Sequence, residues 1–365
     1  MRLSDRYVFG ELIVPFFIGT LAVLLMLIGN TLFAYLSRML QEHWPVGVVV
    51  RALVLNIPTV LVLTLPVATA LAASMATGRL ARDNEITVMR GVGAPLRRVL
   101  APVLVFGALT GLLAFWISDQ VVPWAFKEQQ SIESLLYNLP KNPIEPDVAF
   151  KVENKYAFWV KTAQRTDDNG LLLRKVVMLQ LPQRADDDFG TWLTAETAEY
   201  KDDVFTFRDV VMHRFAKDGS PLSGVDGKSP SAKLRVHVNF SQVMSPPLSE
   251  DKLAFAELTQ RARDARALGQ KGDALRFEVE RWFKLSLPAM CFVFALCAPP
   301  LALRFSRTGG FAGVLLSIIV VFVAWNTLLL MKYVGLGGLL PPVVAAWSTN
   351  VLFTLLGLWL LRTQE

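Results

Sequence analysis

Cysteine and histidine are scarce in this chain of 365 residues, with two of the first and three of the second. Cys291 and Cys297 stand at i, i+6 in one apolar stretch, where a helix points them to different faces. Neither a disulfide framework nor a metal site can be built from that pair, and both read as packing residues. His43, His213 and His237 are scattered, and no H-E-x-x-H occurs, so no metal is expected. A G-x-x-x-x-G-K-[ST] loop is missing too, so the chain is not expected to hydrolyse ATP itself.

The most telling absence is of charge. Six long windows hold none: Leu12–Leu36, Ala52–Ala76, Val99–Ser118, Leu285–Leu303, Thr308–Met331 and Val343–Leu361. Each is close to or above the roughly 20 apolar residues a helix needs to cross a bilayer. A charge at the bilayer centre costs roughly 3 kcal/mol, so six such windows mark membrane spans. Within the windows there is no Asp–Arg or Glu–Lys series such as a proton relay requires.

What is present then divides the chain. Hydrophobic residues make up 53% of it, and the charged residues gather between the windows. The net charge of +6 is explained by basic residues at span ends, so no nucleic acid is expected as a partner. Arg2, Arg6, Arg79, Arg82, Arg90, Arg97, Arg98, Arg304, Arg307 and Arg362 fall on one side of the membrane. Arg38, Lys332 and, at the margin, Arg51 fall on the other. The positive-inside rule then makes both termini cytoplasmic and turns the long middle segment outward. The first window, at about 25 residues, exceeds a signal-peptide core and reads as an uncleaved span.

The middle reads as β-rich. Lys155–Val160, Leu171–Leu181, Trp192–Glu196, Val204–Phe207, Val210–Phe215 and Leu234–Phe240 are rich in β-branched and aromatic residues, with Asp-, Asn- and Gly-bearing turns between them. Helical connectors are expected over Pro123–Asn138 and Glu250–Arg281. The expected fold is an α-helical polytopic membrane protein with six transmembrane helices, three on each side of an inserted extracytoplasmic β-jellyroll-like domain. Its parts are a membrane half over residues 1–122, the β domain with connectors over 123–281, and a second membrane half over 282–365.

One loop between spans has a character of its own. Gly78–Gly93 is too polar to cross the bilayer and too apolar for a mere linker. Asp83 or Asn84 can cap a short helix there, Glu85 suits its positive end, and Gly91 or Gly93 can stop it. Ile86 and Met89 share one side at i, i+3, between the charges of Arg82, Glu85 and Arg90. Such a helix suits a cleft on a partner protein and the lipid surface equally.

This loop, with Glu85-Ile-Thr-Val-Met89 and the following Ala94-Pro-Leu-Arg-Arg-Val99, resembles the cytoplasmic coupling helix of the LptF/LptG family of lipopolysaccharide-export permeases, and is closer to the LptF branch. Asp5-Arg-Tyr7, Met244-Ser-Pro-Pro-Leu-Ser-Glu250 and Glu280-Arg-Trp-Phe-Lys-Leu-Ser-Leu-Pro288 extend the resemblance. So do Pro299-Pro-Leu-Ala-Leu-Arg304 and Leu340-Pro-Pro-Val-Val-Ala-Ala-Trp347. The likeness spans essentially the whole chain and is most diffuse in the β domain.

The resemblance implies a transmembrane subunit of an ABC exporter of the bacterial inner membrane. A dimer of an LptB-like ATPase would bind ATP and Mg, so this chain needs no cofactor of its own. A second LptF/LptG-type permease and LptC-like and LptA-like periplasmic proteins complete the implied complex. Lipopolysaccharide would enter from the outer leaflet and pass through the β domain.

It also implies roles. Arg82, Glu85, Ile86, Met89 and Arg90 would couple to the ATPase, with Glu85 the foremost contact. Arg38 and Lys332 would face lipid phosphates near a gate of spans one and five, or simply snorkel to ordinary headgroups. Phe33 and Trp325 would meet the lipid in the membrane. Phe158 and Phe215, with Trp159 and Val211, would line an acyl groove in the β domain, or else fill its core. Gly309 and Gly313 form a G-x-x-x-G pair suited to close helix contact. The first hairpin departs from the family's logic, since Ser37–Gly47 offers one formal cation, Arg38. A membrane-anchored β scaffold or sensor outside the ABC class is the other reading. Six spans are more than an anchor needs, and no cytoplasmic output domain is visible.

Overall fold

The computed structural model describes residues 3–42, 45–137, 148–152, 156–165, 171–180, 189–201, 204–216, 227–235, 249–305 and 310–364. They divide into two compact units, Met1–Gln129 with Ser249–Glu365, and Gln130–Leu248. The first unit is helical: α1 (Leu3–Glu42), α2 (Val46–Arg82), α3 (Glu85–Gly91), α4 (Leu96–Val99) and α5 (Ala101–Trp116) come first. A π-helical turn, Ile117–Val121, runs straight into α6 (Val122–Tyr137). After the insert come a 3₁₀ turn (Glu250–Lys252), α7 (Phe255–Ala267), α8 (Lys271–Arg304), α9 (Gly310–Leu336) and α10 (Pro342–Arg362).

Among the described residues six helices are long and apolar enough to cross a membrane, and each coincides over most of its apolar length with one of the uncharged windows. The expected boundaries at residues 122 and 281 fall inside continuous helices. Span three continues through the π-turn into α6, and the second connector fuses with span four as α8. Only α7 stands apart, because Gly269 at φ 74 turns the chain between α7 and α8. Its N–H and that of Gln270 close back on the Arg266 and Ala265 carbonyls at 3.1 and 2.9 Å.

Helix α8 is the axis of this unit, packed by α2, α5, α7, α9 and α10. Small residues let its neighbours approach. A Cβ at Gly111 of α5 would sit 2.9 Å from the Pro288 carbonyl oxygen of α8, and Gly107 one turn earlier faces Ala295 as tightly. A Cβ at Gly313 of α9 would lie 2.9 Å from the Ala302 Cα of α8, so that glycine serves packing within the chain. Gly309, its expected G-x-x-x-G mate, lies outside the described residues. Lipid supplies no hydrophobic drive between helices, and buried polar groups act as glue. Asn350 of α10 donates to the Ser286 carbonyl and hydroxyl of α8 at 2.9 and 3.0 Å.

Among its described residues the second unit contains one antiparallel sheet of six strands in chain order: β1 (Val148–Val152), β2 (Tyr156–Arg165), β3 (Leu171–Gln180), β4 (Phe189–Lys201), β5 (Val204–Ala216) and β6 (Gly227–Arg235). The two runs expected at 204–207 and 210–215 are one strand. Asp209 lies between them and reads as a turn because Asp is depleted in strands. β4 extends beyond the expected 192–196. β6 overlaps the expected 234–240 only at its end, and residues 236–240 lie outside the described ones.

A row of residues across this sheet explains its shape. Lys175 and Asp209 have φ of 51 and 54°, and they fall opposite Lys161, Glu196 and Pro230 in a line that the cross-strand pairing skips from β2 to β6. At that line the inward alternation steps by three: Leu173 to Val176, Ala195 to Ala198, Phe207 to Val210. The sheet folds there like a corner, and its two leaves close on each other. Phe158 of β2 stacks on Phe205 of β5 with centroids 5.1 Å apart. In a flat sheet three strand spacings, about 14 Å, would separate them. The jellyroll-like expectation is met by a rolled sheet whose strand order is a simple meander.

Candidate functional site

At the end of the helical unit where the chain leaves for the insert, α2, the π-turn, α8 and α9 enclose a cavity of about 280 Å³. Trp325, Leu328, Phe283 and Val62 give it apolar walls, and Glu280, Lys284, Lys332 and Asp251 reach it with charge. Lys332 Nζ lies 2.6 Å from Glu280 Oε1, with side chains 29% and 10% exposed. One turn beyond Glu280, the buried Lys284 ammonium donates to the Leu253 carbonyl. The π-turn contributes directly, since Asp119 Oδ1 accepts the Phe255 N–H at 2.7 Å and so receives the start of α7.

This arrangement adds to two expectations. Lys332, expected to face a lipid phosphate or snorkel to headgroups, is ion-paired with Glu280 of the same chain. A buried Glu–Lys cluster does exist, and it sits just past the ends of the uncharged windows Leu285–Leu303 and Thr308–Met331. A search for charge inside windows passes over it, and the i, i+4 spacing of Glu280 and Lys284 was the available signal. Trp325 shares the cavity with Lys332. Phe33 stands on α1 with 79% of its surface exposed, so it faces outward from this chain. Arg38 belongs to α1, and its side chain lies outside the described residues.

At the opposite end lies the short helix α3. Asn84 precedes it at φ 58, a conformation Asn tolerates, but it makes no side-chain cap. Its stop is a Schellman turn: Gly93, at φ 89, donates to the Arg90 carbonyl at 2.9 Å and Ala94 to that of Met89 at 3.2 Å. Ile86 is 4% exposed and joins the core with Leu80, Leu96 and Leu100, while Met89 packs beside it. Of the apolar side expected to meet a partner or the lipid surface, Ile86 is thus buried within the chain and Met89 half-buried. The outward face is Thr87, Val88, Gly91 and Val92, with Val92 86% exposed. Val88 and Val92, at i, i+4, are a second stripe that the reading from Ile86 and Met89 passed over.

Tyr7 donates its hydroxyl to Glu85 Oε1 at 3.0 Å, tying α3 to the start of α1. Arg90 donates to the Gln364 carbonyl at 3.3 Å, and Gln364 in turn donates to the Pro300 carbonyl. Arg82 is exposed beside the helix. All five residues expected to couple thus fall at α3, but Ile86 and Met89 hold it from within. In the β unit Phe158 is 1% exposed among Phe205, Phe207 and Val160, and belongs to the closed inner face. Trp159 points to the other side and is exposed. Phe215 of β5 pairs with Gly190 of β4, and its side chain lies outside the described residues.

This geometry is that of a helical membrane unit with a short helix between spans two and three, and a β insert between spans three and four. The family model described as lipopolysaccharide export system permease LptF/LptG matches residues 6–363. The chain belongs to the LptF/LptG family. It is a multi-pass membrane permease of the lipopolysaccharide export system, and that family is one of transport subunits. No curated protein matches this chain.

Proposed function

We propose that this LptF/LptG permease is one of two transmembrane subunits of an ABC exporter. It takes lipopolysaccharide, or a related glycolipid, from the outer leaflet of the inner membrane and delivers it through its β unit toward periplasmic LptC-like and LptA-like proteins. An LptB-like ATPase supplies the energy. Both termini and α3 face the cytoplasm, and the β insert faces the periplasm.

The observation that carries this reading is how α3 is built. It is locked to the bundle by Ile86, by the Tyr7–Glu85 hydrogen bond and by the Arg90–Gln364 contact, yet it presents Val88 and Val92 outward. A short helix fixed on one side and apolar on the other transmits a push from a docked partner into the spans. The need for a second permease has its own support. α1 and α9 each pack on α2 and share no extensive interface with one another among the described residues, so a gate between spans one and five would take its second wall from another chain.

The test is purification with and without the ATPase, followed by photo-crosslinking. The chain alone should turn over no ATP. Crosslinkers at Phe33 or Trp325 should trap glycolipid without nucleotide, and one at Phe158 only when ATP is supplied. Lifting acyl chains out of lipid is uphill by up to about 0.8 kcal/mol for each CH₂ left less well buried. Equal trapping at Phe158 with and without ATP would shift the assignment to a passive β scaffold.

A further inference from the structure

A second cavity, of about 750 Å³, opens beside α3, between the last turns of α2, α8 and α10. Three arginines from three elements line it: Arg82 of α2, Arg90 of α3 and Arg304 of α8, with Asn84, Thr363 and Trp359 beside them. No carboxylate is among the described residues that line it. Arg82 and Arg304 form no ion pair with any described residue, and the guanidinium of Arg90 has the Gln364 carbonyl as its one described partner. Charge at this end is not left open everywhere. Arg79, one turn from Arg82, is paired with Glu11 and Asp83.

The rim differs from the floor. Trp359 is 57% exposed on α10, and Leu355 and Leu352 stand four and seven residues before it, also exposed. That spacing sets them along one helix face as an apolar track ending at an indole. An amphipathic ring at the level where a span meets the arginines suits the headgroup region of a bilayer. Guanidinium groups bind phosphate oxygens in forked, charge-assisted pairs. Basic pockets between spans at the cytoplasmic side are where anionic headgroups lodge.

We propose that this cleft holds the phosphate of a resident anionic phospholipid, gripped by Arg82, Arg90 and Arg304, with an acyl chain along Leu352, Leu355 and Trp359. The lipid is a structural partner and not the transported glycolipid. Because the three arginines come from α2, α3 and α8, one phosphate pins the coupling helix to the ends of two spans.

The experiment uses the full chain in its native complex, placed in phosphatidylcholine nanodiscs with phosphatidylglycerol as the minor lipid. Retained lipid is counted by native mass spectrometry. The parent protein and Arg97→Gln, which removes an exposed charge at the same end but outside the cleft, should retain phosphatidylglycerol over phosphatidylcholine. Arg82→Gln and Arg304→Gln should each lower its retention about fivefold, and together more. Glycerol 3-phosphate should not displace the lipid. Equal loss in Arg97→Gln, unchanged retention in the double variant, or displacement by glycerol 3-phosphate would each overturn the proposal. So would variants that keep the lipid but lose the ATPase, since the arginines would then be meeting a protein.

Discussion

The two ends of the helical unit treat charge in opposite ways. Toward the insert, Glu280 meets Lys332, Lys284 meets the Leu253 carbonyl, Asp119 meets the Phe255 N–H and Arg51 meets Glu128. Every one of these partners belongs to the same helical unit. At the α3 end, Arg82 and Arg304 face an open cleft, and Val88 and Val92 face outward. A charge that is mostly buried has to be paired where it lies, whereas an exposed one costs little to leave open. One end is closed on itself, and the other is arranged to meet something else.

The strongest way to break that comparison is at Lys332. Lys332→Met leaves Glu280 buried without its partner and should lower stability by about 3 kcal/mol. Glu280→Gln with Lys332→Met should recover much of the loss, because no uncompensated charge remains. Thermal inactivation in detergent reads both. If the single variant is as stable as the parent, the closed end is not held by its charges.

How much of this was legible follows from where the information sits. Spans were readable because the absence of charge over about 20 residues has one physical cause. The charge cluster was not, since Glu280, Lys284 and Lys332 lie where windows end and gain meaning only when α8 and α9 are side by side. α3 was readable as a helix from Glu85, Ile86, Met89 and Gly93. Its orientation was not, because two apolar stripes compete and only packing shows that Ile86 goes inward. In the β unit, composition indicated strands, but the corner depends on Lys175 and Asp209 adopting positive φ, which Lys does not announce and Asp adopts only occasionally. The inward position of Phe158 follows from that corner and from register.

A smaller effect separates two roles for Glu85. Tyr7→Phe removes only the hydroxyl that holds the carboxylate and leaves Glu85 free to meet a partner. If Glu85 works by fixing α3 to α1, Tyr7→Phe and Glu85→Ala should loosen the coupling between ATP turnover and lipid release to a similar degree. If Glu85 touches the ATPase itself, Glu85→Ala should weaken assembly while Tyr7→Phe leaves it intact. Complex yield and transport per ATP, measured on both variants, decide between them. Equal parental behaviour in both would remove Glu85 from the coupling machinery.

The smallest expected effect is on stability at Arg304. This arginine is exposed, forms no ion pair with a described residue and lies past the last buried turn of α8. Arg304→Gln should therefore change the stability of the delipidated protein by no more than about 0.5 kcal/mol, as surface substitutions generally do. In phosphatidylglycerol the parent should gain stability over its delipidated form, since a ligand that binds only the folded state raises the unfolding free energy. The variant should gain much less. A melting series in detergent with and without added phosphatidylglycerol measures the difference. Its sign separates an arginine kept for the fold from one kept for an occupant: a loss without lipid would close this end as well, and erase its contrast with the Glu280–Lys332 end.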